Sequence, residues 1–236
     1  MPTSLTIDPS APRELDVALL IADLCGYTAL TETHGALRAS EVVLRFQGLV
    51  RQTLESGVSI VNTIGDDVLC AGADTAAVVR TALQLRDAIE REPEFPKIRT
   101  GLHRGHIVER AGQVFGAPIN LTARLAAQAA SGQILCTESI ARSARDLGDI
   151  EARVLGKQQF KNVAYPVAVF EILRSTERRA LPAIDPVCRM QVPIERAVAT
   201  IVYGGTTHHF CSLDCARTFT SAPDIYAIRS AQPRPP

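Results

Sequence analysis

The sequence lacks an excess of charge of either sign and a long apolar run. Lysine plus arginine number 25, as do aspartate plus glutamate, so no overall positive field draws the chain to nucleic acid or to an anionic membrane. The longest aliphatic stretch, residues 17–22, is far shorter than the roughly 20 residues of a membrane-spanning helix, and no basic start with an apolar signal core precedes it. We therefore expect a cytoplasmic protein with no nucleic-acid or membrane partner, in which any phosphate site is local.

A disulfide framework is also missing. Cys25, Cys70 and Cys136 lie in apolar or turn segments without regular spacing, so we interpret them as reduced thiols. The length of 236 residues fits one core of ordinary size plus a smaller unit. The sequence therefore predicts two domains.

Hydrophobic periodicity predicts a mixed architecture for the larger unit. Residues 17–22 form a continuous aliphatic run that predicts a strand buried on both faces and ending at Asp23. The further expected elements, in chain order, are a helix over 36–54, a hairpin of 58–64 and 68–71, a helix capped by Asp74, strands at 98–102 and 106–109 on either side of Gly105, a helix over 118–130, and strands at 134–136 and 167–172. This order favours an α+β, ferredoxin-like sheet with helices on one face.

Two carboxylates stand at the ends of predicted β elements. Asp23 ends the first strand, and Asp66 lies 43 positions later at the tip of the hairpin. Mg²⁺ prefers a few carboxylates and leaves coordination positions for phosphate oxygens, so neighbouring strands would make this pair a divalent-metal site. Taken singly, Asp23 also fits a strand-end cap and Asp66 a turn residue.

Several motifs around these carboxylates resemble one enzyme family. The segments are IADLCGYT (21–28), IGDDVLCA (64–71), RTGLHRG (99–105), FGAPINLTARL (115–125) and FKNVAYPVAVFEI (160–172). In this order they resemble the class III adenylate and guanylate cyclases, over residues 14–173. Several motifs at family spacing are a much stronger signal than any single one.

The resemblance implies a two-metal site for a nucleoside triphosphate. In the implied site, Asp23 and Asp66 hold two Mg²⁺ or Mn²⁺ ions with the help of the Leu24 carbonyl. One ion lowers the pKa of the ribose 3′-hydroxyl, and the other holds the β- and γ-phosphates. The backbone N–H groups expected to bind phosphate are those of Cys25, Gly26, Tyr27 and Thr28. The side chains expected to contact the triphosphate are Arg99 and Lys161.

The family resemblance also implies a shared site. Asn120 and Arg124 are four positions apart, on one helix face, and match the pair that orients the ribose and stabilises the transition state; a surface ion pair is the alternative for Arg124. The implied assembly is a head-to-tail homodimer. There Asp23, Asp66 and Arg99 face three residues of the other copy: the partner's Asn120, the partner's Arg124 and the partner's Lys161.

The base-selecting positions depart from the family pattern. Asn62 stands four residues before Asp66, where adenylate cyclases usually have Lys, and Gln113 stands seven before Asn120, where they have Asp or Thr. Guanylate cyclases would show Glu and a small residue such as Cys. Amide side chains both donate and accept hydrogen bonds and therefore suit either purine. By analogy with the family we favour ATP as substrate, with GTP as the alternative.

The C-terminal segment, residues 184–228, resembles the YHS domain, a relative of the TRASH metal-binding modules. Its motifs are DPVCRM (185–190), VYGGTTHHFCSLDC (202–215) and FTSAPDIY (219–226). Three thiolates suit Zn²⁺ or a copper ion, and they would come from Cys188, Cys211 and Cys215. The candidates for a further ligand are His208, His209 and Met190. Alternatively, the cysteines are small apolar residues of a mini-core.

We therefore expect a cyclase domain at 14–173 and a metal-binding domain at 184–228, joined by a linker at 174–183 and flanked by tails at 1–13 and 229–236. The predicted function is an adenylate cyclase, and regulation of its output by the attached module is part of this hypothesis. A catalytically weak or inactive nucleotide-binding scaffold is the alternative. A metal-trafficking protein is a third hypothesis.

Overall fold

A computed structural model describes residues 11–175, 183–192, 194 and 197–231. Most of the expected linker lies outside these described residues, as do most of the two expected tails. The larger part of the chain forms an eight-stranded sheet with four helices. Its strands are β1 (Arg13–Leu24), β2 (Val58–Ile64), β3 (Asp67–Gly72), β4 (Ile98–Arg110), β5 (Gln113–Phe115), β6 (Ile134–Thr137), β7 (Ile150–Gln158) and β8 (Val167–Arg174). The helices are α1 (Tyr27–Thr53), α2 (Thr75–Arg91), α3 (Ala117–Gln128) and α4 (Glu138–Ala144).

The strand order places the hairpin that carries Asp66 in its turn next to β1, which carries Asp23 near its end. The order is β2-β3-β1-β4-β6-β8-β7, with β5 paired to β4. In the pairing of β1 with β3 and β4, Asp23 stands opposite Asp67 on one side and Arg99 on the other. Asp23, Asp67 and Arg99 therefore lie side by side at the same end of β1, β3 and β4.

The sheet is buried on both faces around β1, as its continuous aliphatic run predicted. Leu20 packs in the main core with helices α1, α2 and α4, whereas Leu19 belongs to a smaller cluster with Ile119 of α3. The predicted α+β fold, a sheet with packed helices, is confirmed. The distribution of the helices differs from the expectation, because three helices cover one face and α3 lies against the opposite face.

Gly105 does not mark a turn, because β4 is a single strand through the predicted break. A Cβ at Gly105 would stand 2.6 Å from Cγ of Pro118 in α3. The glycine therefore permits close approach of α3, which the sequence pattern cannot distinguish from a turn glycine.

Helix α1 begins well before the expected residue 36 and contains a kink. At Gly35 the backbone has φ 81 and ψ 161 inside the helical span, a conformation that favours glycine. The hydrophobic pattern after the kink predicts a helix. The helical segment before the kink, residues 27–34, carries little hydrophobic periodicity and was therefore not predicted. Elements β5, β7 and α4 were not predicted, because β5 and α4 are short and β7 is a largely exposed edge strand.

The C-terminal part contains two small hairpins and two helices. They are β9 (Ala183–Ile184) with β10 (Gln191–Val192), β11 (Ala199–Tyr203) with β12 (Thr206–Phe210), α5 (Leu213–Ser221) and α6 (Pro223–Ala231). Phe210 and Phe219 belong to the same buried cluster as the main core. The Gln191 backbone N–H donates to the Phe95 carbonyl at 2.9 Å. Among the described helices, none is long and apolar enough to cross a membrane.

Candidate functional site

A cavity of about 270 Å³ opens beside the end of β1. Its polar lining comes from Asp23, Asn62, Asp67 and Arg99, and its apolar wall includes Ile119, Ala123, Ala126 and Ala127 of α3. Residues from four of the separate sequence motifs therefore line one cavity.

Asp23 is the buried acid of this cavity, with 8% of its surface exposed. The Arg99 guanidinium donates to its carboxylate. Burial raises the pKa of Asp23 to about 7; Arg99 acts in the opposite direction, and the nearby Asp67 and Asp66 add to the rise. The site thus concentrates negative charge in a partly desolvated place.

Asp66 lies in the turn between β2 and β3, after Gly65 with φ 59, as predicted. Asp67 begins β3 and was missed as a site residue. Burial raises the pKa of Asp67, and repulsion from Asp66 raises it further. A hydrogen bond with Asp23 acts in the opposite direction. The Asp-Asp pair at a hairpin was the available signal. The structure gathers three carboxylates where the sequence predicted two.

Asn120 and Arg124 lie on α3, as predicted, with Asn120 exposed and Arg124 half-buried. Neither side chain forms a hydrogen bond or ion pair with another described residue, and neither lines the cavity that contains Asp23. The pair therefore does not converge on the carboxylates within one copy of the chain.

Lys161 and Gln113 are exposed and also lie apart from the cavity lining. Gln113 begins β5, directly after a two-residue turn at Ala111 and Gly112 with positive φ at both positions. Asn62 follows a register shift in β2 and does line the cavity. Of the two predicted base-selecting positions, the structure brings one to the carboxylates.

The predicted phosphate loop runs from Cys25 to Thr28 and joins β1 to α1. Gly26 has φ 81 and forms the N-terminal cap of α1. The Cys25 N–H already donates to the Lys97 carbonyl at 2.8 Å, so in this structure the prediction applies to the three following N–H groups. The C-terminal part lies against this loop, because a Cβ on Gly26 would stand 2.5 Å from Cγ of Arg189.

The three predicted metal thiols do meet, and we call Cys188, Cys211 and Cys215 the thiol cluster. The Sγ atoms of Cys188 and Cys211 are 3.4 Å apart, and those of Cys211 and Cys215 are 3.7 Å apart. Hydrogen bonds from the other two thiols lower the pKa of Cys215 to about 2 and raise that of Cys188. The contact between the three thiols therefore favours the loss of a proton within the cluster.

A fourth potential ligand, His34 of α1, was not predicted. Its Nε2 is 3.7 Å from Sγ of Cys211 and 3.6 Å from Sγ of Cys215. The two histidines that the sequence offered have other contacts: the His208 ring packs on Phe219, and His209 contacts Thr200. No local spacing links residue 34 to the thiol cluster, so sequence patterns carried no signal for it.

Comparisons with known proteins agree with this architecture. The family model described as the adenylate and guanylate cyclase catalytic domain matches residues 10–165, and the YHS domain model matches residues 183–230. A pH-sensitive adenylate cyclase from Mycobacterium tuberculosis is 29% identical over 170 residues, which is 71% of this chain and 43% of that protein. The chain thus spans less than half the length of that relative.

Solved structures share the fold. A crystal structure of an adenylate/guanylate cyclase/hydrolase from Silicibacter pomeroyi is 29% identical, with a TM-score of 0.58 over 70% of this chain and 99% of that one. An adenylyl cyclase from P. aeruginosa is 21% identical, with a TM-score of 0.60 over 72% and 99%. Because the family model covers well over half of the residues, the chain belongs to the adenylate and guanylate cyclase catalytic domain family, the class III nucleotide cyclases, and it carries a YHS domain at its C-terminal side.

Proposed function

We propose that the chain is an adenylate cyclase that forms cyclic AMP and pyrophosphate from ATP at sites shared by two copies. The observation that carries this proposal is the meeting of Asp23, Asp67 and Arg99 in the lining of one cavity, with Asp66 near enough for its charge to act on Asp23. Acidic groups and a fixed guanidinium are the two kinds of group that phosphoryl chemistry requires.

The acidic groups fit divalent cations. Asp23 is buried, and like charges at Asp66 and Asp67 act on it, so a bound cation would relieve a repulsion that one arginine offsets only in part. Two Mg²⁺ or Mn²⁺ ions would be held by Asp23 and Asp66, with the Leu24 carbonyl at the strand end. When bound, such ions activate the attacking hydroxyl and neutralise charge on the phosphates.

Arg99 is positioned to serve the triphosphate. Its guanidinium lies at the carboxylates and also reaches the Ala127 carbonyl at 3.5 Å. Once cations neutralise Asp23, this guanidinium is released for phosphate oxygens, which it can bind through two parallel N–H groups. The N–H groups of Gly26, Tyr27 and Thr28 at the start of α1 offer further donors to an anion.

The proposed dimer is supported by the residues that do not converge on the cavity. Asn120 and Arg124 lie on α3 outside the cavity lining, and Lys161 is exposed. In a head-to-tail homodimer these side chains complete the site of the other copy, where Asn120 orients the ribose and Arg124 stabilises the developing charge. Their lack of side-chain partners among the described residues of one copy supports this arrangement.

The proposed substrate is ATP rather than GTP. The relative from Mycobacterium tuberculosis is named an adenylate cyclase, as is one from Streptomyces griseus, 31% identical over 122 residues. Asn62 at the cavity replaces the usual lysine with an amide that both donates to and accepts from a purine edge.

The test is an assay of the purified chain with Mn²⁺ and either ATP or GTP, with chromatographic detection of the cyclic product. Asp23→Asn and Asp66→Asn each remove a metal ligand, worth several kcal/mol of transition-state stabilisation, and should lower the rate at least about 100-fold. Asp146→Asn is the matched control, because Asp146 is exposed between α4 and β7. Its rate should equal that of the wild type.

Asp67→Asn separates the two acids of the hairpin: a smaller loss than in Asp66→Asn supports Asp66 as the metal ligand, and a larger loss contradicts that assignment. Nucleotide binding without product in the wild-type chain would favour the scaffold hypothesis over the enzyme. Faster turnover of GTP than of ATP would overturn the base choice.

A further inference from the structure

The thiol cluster and His34 have the dimensions of a tetrahedral metal site. All four ligand atoms lie within 4.8 Å of one another. Tetrahedral Zn²⁺, with Zn–S near 2.3 Å and Zn–N near 2.0–2.1 Å, places two sulfurs about 3.8 Å apart and a sulfur and a nitrogen about 3.6 Å apart. The S···S separations of 3.4 and 3.7 Å and the S···N separations of 3.7 and 3.6 Å lie within about 0.4 Å of these values.

The ligand-bearing backbones are held in place by the protein itself. The carboxylate of Asp185, which is fully buried, accepts from the backbone N–H of Cys188 at 3.3 Å and of Cys211 at 2.9 Å. The Ser212 hydroxyl accepts from the Cys215 N–H at 3.1 Å and caps α5. Hydrogen bonds from surrounding groups that orient the metal ligands in this way are typical of metal sites in proteins.

The fourth ligand reaches the cluster because α1 breaks directly after it. His34 ends the first segment of α1, and Gly35 takes the left-handed φ of 81 that interrupts the helix. The imidazole is half-buried, and its hydrogen-bond contacts among the described residues are the two sulfurs of Cys211 and Cys215. Three thiolates and one imidazole form a closed donor set that suits Zn²⁺ and leaves no open position for substrate.

We propose that one Zn²⁺ joins the cyclase domain to the YHS domain through four ligands: His34, Cys188, Cys211 and Cys215. The YHS domain therefore has an incomplete site by itself, and the cyclase helix α1 completes it.

The ion would fix the loop that leads into α1. Cys188 is a ligand, and its carbonyl stands 2.9 Å from the position of a Cβ on Gly26, next to the side chain of Arg189. Gly26 belongs to the proposed phosphate loop, and His34 lies two turns further along the same helix segment. Zinc binding thus holds both ends of residues 26–34 against the YHS domain. The consequence for turnover rests on the proposed cyclase activity, whereas the zinc site itself does not.

The first experiment measures zinc in the full chain. Wild-type protein should hold one Zn²⁺ per chain in competition with a chromophoric chelator. His34→Ala should weaken binding by more than the roughly 10- to 100-fold that loss of an outer-sphere partner costs. His34→Cys supplies a thiolate instead and should restore tight binding. His209→Ala is the control, because this histidine is adjacent to the cluster in sequence but bonds to Thr200.

A second readout counts ligands without any activity assay. Co²⁺ in the wild-type and His209→Ala proteins should give the strong visible absorption of a tetrahedral site, and His34→Ala should weaken and shift it. Unchanged zinc affinity and Co²⁺ spectrum in His34→Ala would overturn the assignment of His34. Absence of zinc from the wild type would overturn the site, and tighter binding of Cu⁺ than of Zn²⁺ against the same chelator would overturn the choice of metal.

The activity arm separates the two proposals. With Mn²⁺ and ATP, His34→Ala should turn over more slowly than the wild type, and His34→Cys should recover the rate together with the zinc. Equal rates in all three proteins, with zinc lost in His34→Ala, would refute the link to the phosphate loop. If none of the three proteins forms product but zinc binding is lost in His34→Ala and restored in His34→Cys, the proposed function is refuted and the zinc site is established.

Discussion

Gly101 of β4 is the point at which a single methyl group should move the helix that carries Asn120 and Arg124. A Cβ on Gly101 would stand 2.3 Å from the Thr122 carbonyl oxygen and 2.5 Å from the Ala126 nitrogen, both backbone atoms of α3. Ordinary contact begins near 3.4 Å, so α3 must retreat by about 1 Å, because no flexible side chain can yield instead.

The magnitude of the effect follows from this displacement. Overpacking of this kind costs about 1–3 kcal/mol, which for a chain of this size lowers the melting temperature by about 2–12 °C. A shift of about 1 Å in groups that position the substrate can cost about 100-fold in rate. Gly101→Ala should therefore lose both stability and turnover.

The assay combines thermal unfolding by circular dichroism with the cyclase rate at a temperature where the variant is fully folded. Gly48→Ala is the control, since Gly48 lies inside α1 and a Cβ there meets nothing within 4 Å. It should gain about 0.5–1 kcal/mol, because alanine is the better helix former. A Gly101→Ala protein with wild-type melting temperature and rate would refute the reasoning on close packing of α3.

Two further outcomes are expected. An equal mixture of inactive Asp66→Ala and inactive Arg124→Ala proteins should recover roughly a quarter of the wild-type rate, because half of the dimers then contain one intact site of two. A mixture that stays as inactive as its parents after proven subunit exchange would contradict the shared site. Arg104 donates to the Asp16 carboxylate at 3.0 Å and the Thr75 hydroxyl at 2.9 Å. Arg104→Ala should thus cost about 1.5–3 kcal/mol in urea unfolding, and a loss below about 0.5 kcal/mol would show that these contacts contribute little.

Features that rest on local pattern were predictable from the sequence. The aliphatic run of β1 gave a strand buried on both faces, and Asp74 caps α2 by accepting from the Ala76 N–H at 2.9 Å. The order of the motifs indicated the cyclase family, and the three cysteines of the C-terminal segment meet, as the resemblance to the YHS domain implied. In each of these cases the signal lies within a few residues or within a recognisable motif.

What the tertiary structure decided depends on contacts between distant segments. Asp67 became a member of the acidic group because the β1–β3 register sets it opposite Asp23, and Gly105 proved to admit α3 rather than to form a turn. His34 is the strongest case: it approaches Cys211 and Cys215 across 177 and 181 positions of sequence, through a helix break and the packing of one domain on another. Periodicity and spacing describe neighbours along the chain, whereas a closed ligand set is fixed by where the folded domains bring remote side chains together.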